Sequence, residues 1–223
     1  MKSNIDTLLD QMYAMRNEKN IAGMARFKID TSTALGIPLP LIRSLGKPYK
    51  KDHELALALW QTDIHEARIM ATYIDNPAKV TSEQIELWSN DFKSWDLCDQ
   101  ACLHLFCKSE LALETVFKFS EYKSEFQKRM AFALMACLAL KKIDAPSEVV
   151  ASFLPIIIRE SDDDRIYVKK AVNWALRQIG KKNEILRLQA LQACEHILSL
   201  NTKSGNWISK DAMKELKNRS YNY

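Results

Sequence analysis

Trp95 and Asp99 stand four residues apart in the run Ser94-Trp95-Asp96-Leu97-Cys98-Asp99. On a helix that spacing puts the indole and the carboxylate on one face. A wide aromatic ring beside an acceptor, on a rigid element, is the form of a site that holds and stabilises a cation. The plainer alternative is a core tryptophan beside a cap or ion-pair partner, and one short motif does not separate the two. A second group lies further along the chain. Lys170, Trp174 and Arg177 share a helical face, giving cation, indole and cation in a row. Basic and aromatic groups interleaved in this way suit a nucleic-acid backbone, with the cations on phosphates and the ring against sugar or base. Lys169, Lys181 and Lys182 add positive charge on or just after the same helix, and Lys128 and Arg129 on the helix expected over 125–140. Here the plainer alternative is a solvated face with Trp174 as a core anchor.

Other chemistries find little support. The chain has no phosphate-cradling glycine loop, no His-Glu-x-x-His and no dinucleotide fingerprint. Cys98, Cys102, His104 and Cys107 are close in sequence, but helical positions 98, 102 and 107 do not converge as a zinc knuckle does. No metal and no cofactor are expected. His53, His65, His104 and His196 are scattered, and nothing near the cysteines supplies a base for a nucleophilic thiol. The five cysteines, an odd count in apolar helical context, read as reduced thiols of a cytoplasmic protein. A net charge of +4 is modest, so where the charge sits matters more than its sum.

The elements that must position these residues read as helices. Glycine (5) and proline (6) are scarce in 223 residues, which argues for an all-α chain. Ile5, Leu8, Leu9, Met12 and Met15 fall at helical spacing, and Glu18-Lys19-Asn20 breaks the pattern before a segment at Met24–Lys28. Gly36 is expected to stop a helix, and Pro38 or Pro40 to start the next. Further helices are expected over 53–60, 64–74, 81–91, 95–107, 110–119, 125–140, 148–158, 164–179, 184–199 and 207–216. The acidic run Ser161-Asp162-Asp163-Asp164 would start the helix at 164, and Gly180 would end it. Met130 to Leu140 is the longest apolar run, too short for a bilayer and suited to a buried central helix.

A faint repeat places Arg68, Arg129 and Lys170 each just before a small, Ala-rich face. Helix pairs of roughly 40 residues are the unit of HEAT and armadillo stacks. The expected fold is therefore all-α, a curved α-solenoid of HEAT-like (armadillo-like) antiparallel helix pairs. A closed helical bundle is the alternative. One domain is expected over 1–223, with a frayed tail at 217–223. No signal peptide or membrane span is visible, and a monomer is the default for such a stack.

Taken together, these blocks resemble the DNA alkylation repair family, the HEAT-like-repeat alkylpurine DNA glycosylases of the AlkD type. The resemblance covers about Met24 to Lys182. Its markers are Met24-Ala25-Arg26-Phe27 with Leu35-Gly36-Ile37, the Trp95-to-Asp99 block, Gln127-Lys128-Arg129-Met130-Ala131, and Val168 through Arg177. It implies that Asp99 is the catalytic carboxylate, Trp95 and Trp174 the cleft tryptophans, and Arg129 the cleft arginine. Phe27, Lys128, Lys169, Lys170, Arg177, Lys181 and Lys182 would face DNA. Two residues depart from the pattern: Phe27 stands where an active relative has Tyr, and Asn173 where such a relative has Gly. The implied partner is double-stranded DNA containing alkylated purines. The implied reaction is hydrolysis of their N-glycosidic bond, with no lyase step and no tight base-flipping pocket. Non-catalytic binding of branched or bent DNA, as in some family members, and a protein–protein scaffold are the rival readings.

Overall fold

The computed structural model describes residues 4–143 and 145–218. The expected tail at 217–223 lies outside these residues beyond Asn218. Among the described residues every regular element is an α-helix or a short 3-10 turn, without a strand. The chain divides into two compact units, Met1–Leu111 and Ala112–Tyr223, and each is described by itself.

The first unit holds α1 (Asn4–Ala14), α2 (Glu18–Arg26), α3 (Leu39–Gly46), α4 (His53–Trp60), α5 (His65–Ile74), α6 (Ser82–Asn90) and α7 (Trp95–His104). Helix α5 is its centre and packs on α3, α4 and α7. Small residues make this possible, because Ala67 and Ala71 are buried and let neighbouring helices approach closely. Trp60 stacks flat on Trp88 at 3.9 Å, and its indole Nε1 donates to Asp91 at 2.8 Å. Arg68 sits over the Trp60 ring and is held by Asp63 (2.6 Å), by Asp91 (3.1 Å) and by the Trp60 carbonyl (3.2 Å). The first basic position of the repeat is thus a structural tie.

Two local expectations for this unit fail. The polar triplet Glu18-Lys19-Asn20 does not break a helix; it is the first turn of α2, because Asn17 Oδ1 caps the Asn20 amide at 3.1 Å. Gly36 does not end a helix, since α2 is already closed at Arg26. Gly36 lies in the loop before α3 with φ +73°, where a Cβ would come within 2.3 Å of the Asn17 carbonyl oxygen.

The second unit holds α8 (Ala112–Ser120), α9 (Glu125–Leu138), α10 (Ser147–Ala151), α11 (Leu154–Arg159), α12 (Ile166–Lys182), α13 (Glu184–Ser199) and α14 (Lys203–Leu216). The apolar run forms the buried helix expected of it: α9 packs against α8 and α12, and its residues from Arg129 to Leu138 are all buried. The single helix expected over 148–158 is two, α10 and α11. Pro155 has no amide for the Ala151 carbonyl, and its ring crowds that carbonyl, so the helix restarts.

Helix α12 also differs from expectation at both ends. It begins at Ile166, and Asp163 turns back to pair with Arg165 (Oδ1 to Nε, 2.9 Å) instead of starting the helix. The Tyr167 amide in the first turn of α12 is capped from α9, by Glu125 Oε1 at 3.1 Å. At the other end α12 runs through Gly180 to Lys182. A Cβ at Gly180 would lie 2.7 Å from the Leu216 methyls and 3.2 Å from Ala190 Cβ, so the glycine serves close packing with α14 and α13.

All five cysteines are buried thiols outside any disulfide, and burial pushes the Cys194 thiol up to about 12. No helix among the described residues is long and apolar enough to cross a membrane. Replacing Gly36 by alanine is expected to lower the unfolding free energy by about 2 kcal/mol or more, since it forces positive φ on a Cβ that meets backbone. Urea unfolding of G36A checks this; an unchanged midpoint would refute it.

Candidate functional site

In the first unit, Trp95 and Asp99 sit one turn apart on α7, both half-buried. Trp95 is the first residue of the helix. Its indole Nε1 donates to the Phe27 carbonyl at 3.1 Å. That carbonyl is available because α2 stops there. The amides of Phe27, Lys28 and Ile29 fold back on Ala25 and Met24, and Lys28 takes the left-handed conformation at φ 57°. The Phe27 ring itself is 69% exposed.

The start of α7 is fastened by a buried acid–base pair. His65 Nε2 meets Asp96 Oδ2 at 2.8 Å, and the Ser94 hydroxyl donates to Asp96 Oδ1 at 2.7 Å. Burial pulls His65 down, but the hydrogen bond and charge of Asp96 outweigh it and hold the imidazole above its ordinary value. Burial likewise pushes Asp96 up, and the His65 bond and charge overcome it to hold the carboxyl below its usual range. The neighbouring Glu66, 1% exposed, accepts the amides of Leu35 (2.7 Å), Gly36 (2.6 Å) and Ile37 (3.2 Å).

These elements line an open cavity of about 630 Å³ within the first unit. Met24, Ile29, Ile37 and Ile69 give it apolar walls, and Phe27 and Trp95 also line it. The sequence reading anticipates no such cavity.

In the second unit, Arg129 is 5% exposed, and its Nη1 donates to the Tyr167 carbonyl at 2.7 Å. It braces α9 against the first turn of α12. Trp174 is half-buried on α12. The adjacent Asn173 is buried, and its Nδ2 donates to the Ile208 carbonyl of α14 at 3.1 Å. Several of the expected DNA-facing cations are engaged inside the protein. Lys128 pairs with Glu160 at 2.5 Å, Arg177 with Glu215 at 3.1 Å, and Lys181 with Glu215. Lys169 lies over the Trp207 ring at 5.3 Å. Lys170 is exposed and Lys182 half-buried, neither with an ion pair among the described residues.

Comparison with known proteins decides the family. The sequence profile of the DNA alkylation repair enzyme family matches residues 8–217. The chain belongs to the DNA alkylation repair enzyme family. It is also similar to a solved structure from a new family of proteins related to the HEAT-like repeat DNA glycosylases, with affinity for branched DNA structures. That structure is 18% identical with a TM-score of 0.80, over 96% of this chain and 94% of that one. At that identity the likeness carries the fold alone, an all-α fold of HEAT-like repeats, as the helical repeat implies. No curated protein matches the chain in sequence.

Sequence reasoning about this DNA alkylation repair family member passes over His65, Glu66 and Asp96, which hold the site together, and Gly23, which lines the cavity. One signal was present: a glycine inside a helical pattern. The partners of His65 and Glu66 lie about 30 residues away in the chain, beyond the reach of any local motif.

The buried pair sets a pH dependence. His65 is held above 6.5, so its contribution to stability is complete below 6.5 and is lost as pH rises through its folded value. Asp96 is held below 3.8, so its contribution is complete above 3.8 and is lost as pH falls through its folded value. The stability gap between wild type and Asp96→Asn is expected to be widest between pH 3.8 and 6.5 and to narrow as pH rises through the folded value of His65. Urea unfolding across pH reads this directly, and a gap constant with pH would count against a charged pair.

Proposed function

We propose that the chain is a DNA glycosylase that hydrolyses the N-glycosidic bond of cationic N3- and N7-alkylpurines in duplex DNA. The observation that carries this reading is the pairing of Trp95 and Asp99 one turn apart on α7, with the indole tethered to the Phe27 carbonyl. An alkylated purine is already a cation and leaves without being protonated, so a general acid is unnecessary. The remaining demand is on the deoxyribose, where oxocarbenium character grows as the bond breaks. A carboxylate at Asp99 stabilises that charge and orients the attacking water. The electron-rich face of Trp95 favours a cationic nucleotide over a neutral one.

The second unit has its own part in this reading. The family resemblance implies a role for Trp174 on α12, and Arg129 acts as a positioning residue through its hold on that helix. Lys170 and Lys182 contact phosphates, a role open to cations without an internal partner. Membership of a family of DNA alkylation repair enzymes supports the reading.

A second reading, binding of branched DNA without catalysis, is favoured by one likeness and one substitution. The similar solved structure comes from proteins with affinity for branched DNA structures, and Phe27 lacks the hydroxyl of an active relative.

The test is release of N7-methylguanine or N3-methyladenine from alkylated duplex DNA by wild type and by Asp99→Asn. Release is expected to fall about 10²-fold or more in the variant, with DNA affinity retained. Wild type that binds DNA but releases no base would transfer the assignment to the branched-DNA reading. Wild type that does not bind DNA would leave the scaffold.

A further inference from the structure

Gly23 has no reason in the protein's own packing. It lies inside α2, where glycine is less favourable than any residue but proline. Its φ is not positive, and a Cβ built on it meets nothing within 4 Å. The other four glycines differ: at Gly36, Gly46, Gly180 and Gly205 a Cβ would come within 3.0 Å of a neighbour. Gly23 lines the cavity of about 630 Å³ beside α7, so its missing side chain keeps that space open.

The cavity is also chemically dressed. His65, 5% exposed, lines it, and the imidazole Nδ1 makes no hydrogen bond among the described residues. Gln100 lines it too, with a buried Oε1 that has no donor among the described residues. Lys19 and Arg26 complete the lining from α2; both are exposed and have no ion pair among the described residues. Aromatic wall, buried polar groups and exterior cations together match a planar base on a phosphodiester chain.

We propose that this cavity seats one unpaired nucleotide of bound DNA, its base against Trp95 and its polar edge on His65 and Gln100, with flanking phosphates on Lys19 and Arg26. The proposal rests on the DNA reading above and adds a preference for DNA that offers an unpaired base. Pockets of roughly 300–1,000 Å³ hold molecules of this size.

Two duplexes of the same sequence test it, one fully paired and one with a single-nucleotide bulge. Wild type is expected to bind the bulged duplex about tenfold more tightly, the value of one stacked base. Gly23→Phe, which fills the cavity from a position that touches nothing, is expected to abolish the preference and keep the affinity for the paired duplex. Gly23→Leu, smaller and a stronger helix former, is expected to do the same, and Gly23→Ala to retain the preference. Equal affinity of wild type for both duplexes overturns the proposal and leaves the DNA reading standing. A preference that survives in folded Gly23→Phe and Gly23→Leu, checked by circular dichroism, also overturns it. Binding to neither duplex removes the DNA reading and the proposal together.

Discussion

The Glu66 carboxylate is the constraint on which the first unit's site depends. Three consecutive amides, of Leu35, Gly36 and Ile37, have this one buried group as their acceptor. Without it they would be orphaned in the interior, at a cost of about 1–3 kcal/mol each. The same loop is bonded to α2, because the Asn17 amide donates to the Leu35 carbonyl and Asn20 Nδ2 to the Gly36 carbonyl, both at 2.8 Å. Helix α2 in turn ends at the Phe27 carbonyl that holds the Trp95 indole. The position of the indole is therefore set by a chain of hydrogen bonds that starts on α5. The adjacent His65 fastens α7 itself through Asp96. Two consecutive residues at the start of one helix thus fix two different segments around one cavity.

The second unit solves a similar problem with an arginine. Both backbone groups of Tyr167, at the start of α12, are satisfied from α9: the amide by Glu125 and the carbonyl by Arg129. This explains why α12 begins without a side-chain cap of its own. Lys128, Arg165, Arg177 and Lys181 are matched by nearby carboxylates, several of them partly shielded from water. Such pairs organise the helices and leave fewer cations to attract a polyanion.

Much of the helical plan is legible in the sequence, because periodicity reports which face of a helix is buried. The central helix α9 and the helix α13 follow their apolar patterns, and the Trp95–Asp99 spacing reads correctly as one turn of α7. What periodicity does not report is the partner. Gly180 reads as a helix stop, yet its role is set by Leu216 and Ala190 from other helices. The aspartate run before α12 reads as a dipole cap, yet Asp163 prefers Arg165. Pro155 carried a signal strong enough to divide 148–158, and the apolar residues around it mask the break. For the candidate site, the residues of the motif were readable and their supports were not. His65 and Glu66 look like any polar pair opening a helix until the loop at 35–37 and the start of α7 are brought against them.

The buried thiols make the protein its own reporter of opening. Cys98, Cys102 and Cys107 lie in the first unit, and Cys137 and Cys194 in the second. An alkylating reagent needs an accessible thiolate; burial denies it access at all five cysteines, and at Cys194 the thiol is also pushed up to about 12. Modification therefore proceeds through states in which the local structure has come apart, and its rate at each cysteine measures how often that happens. Peptide mapping of the labelled cysteines then gives two independent clocks, one per unit, without adding a probe to the chain. Whether the clocks run together tells whether the two units unfold as one cooperative body.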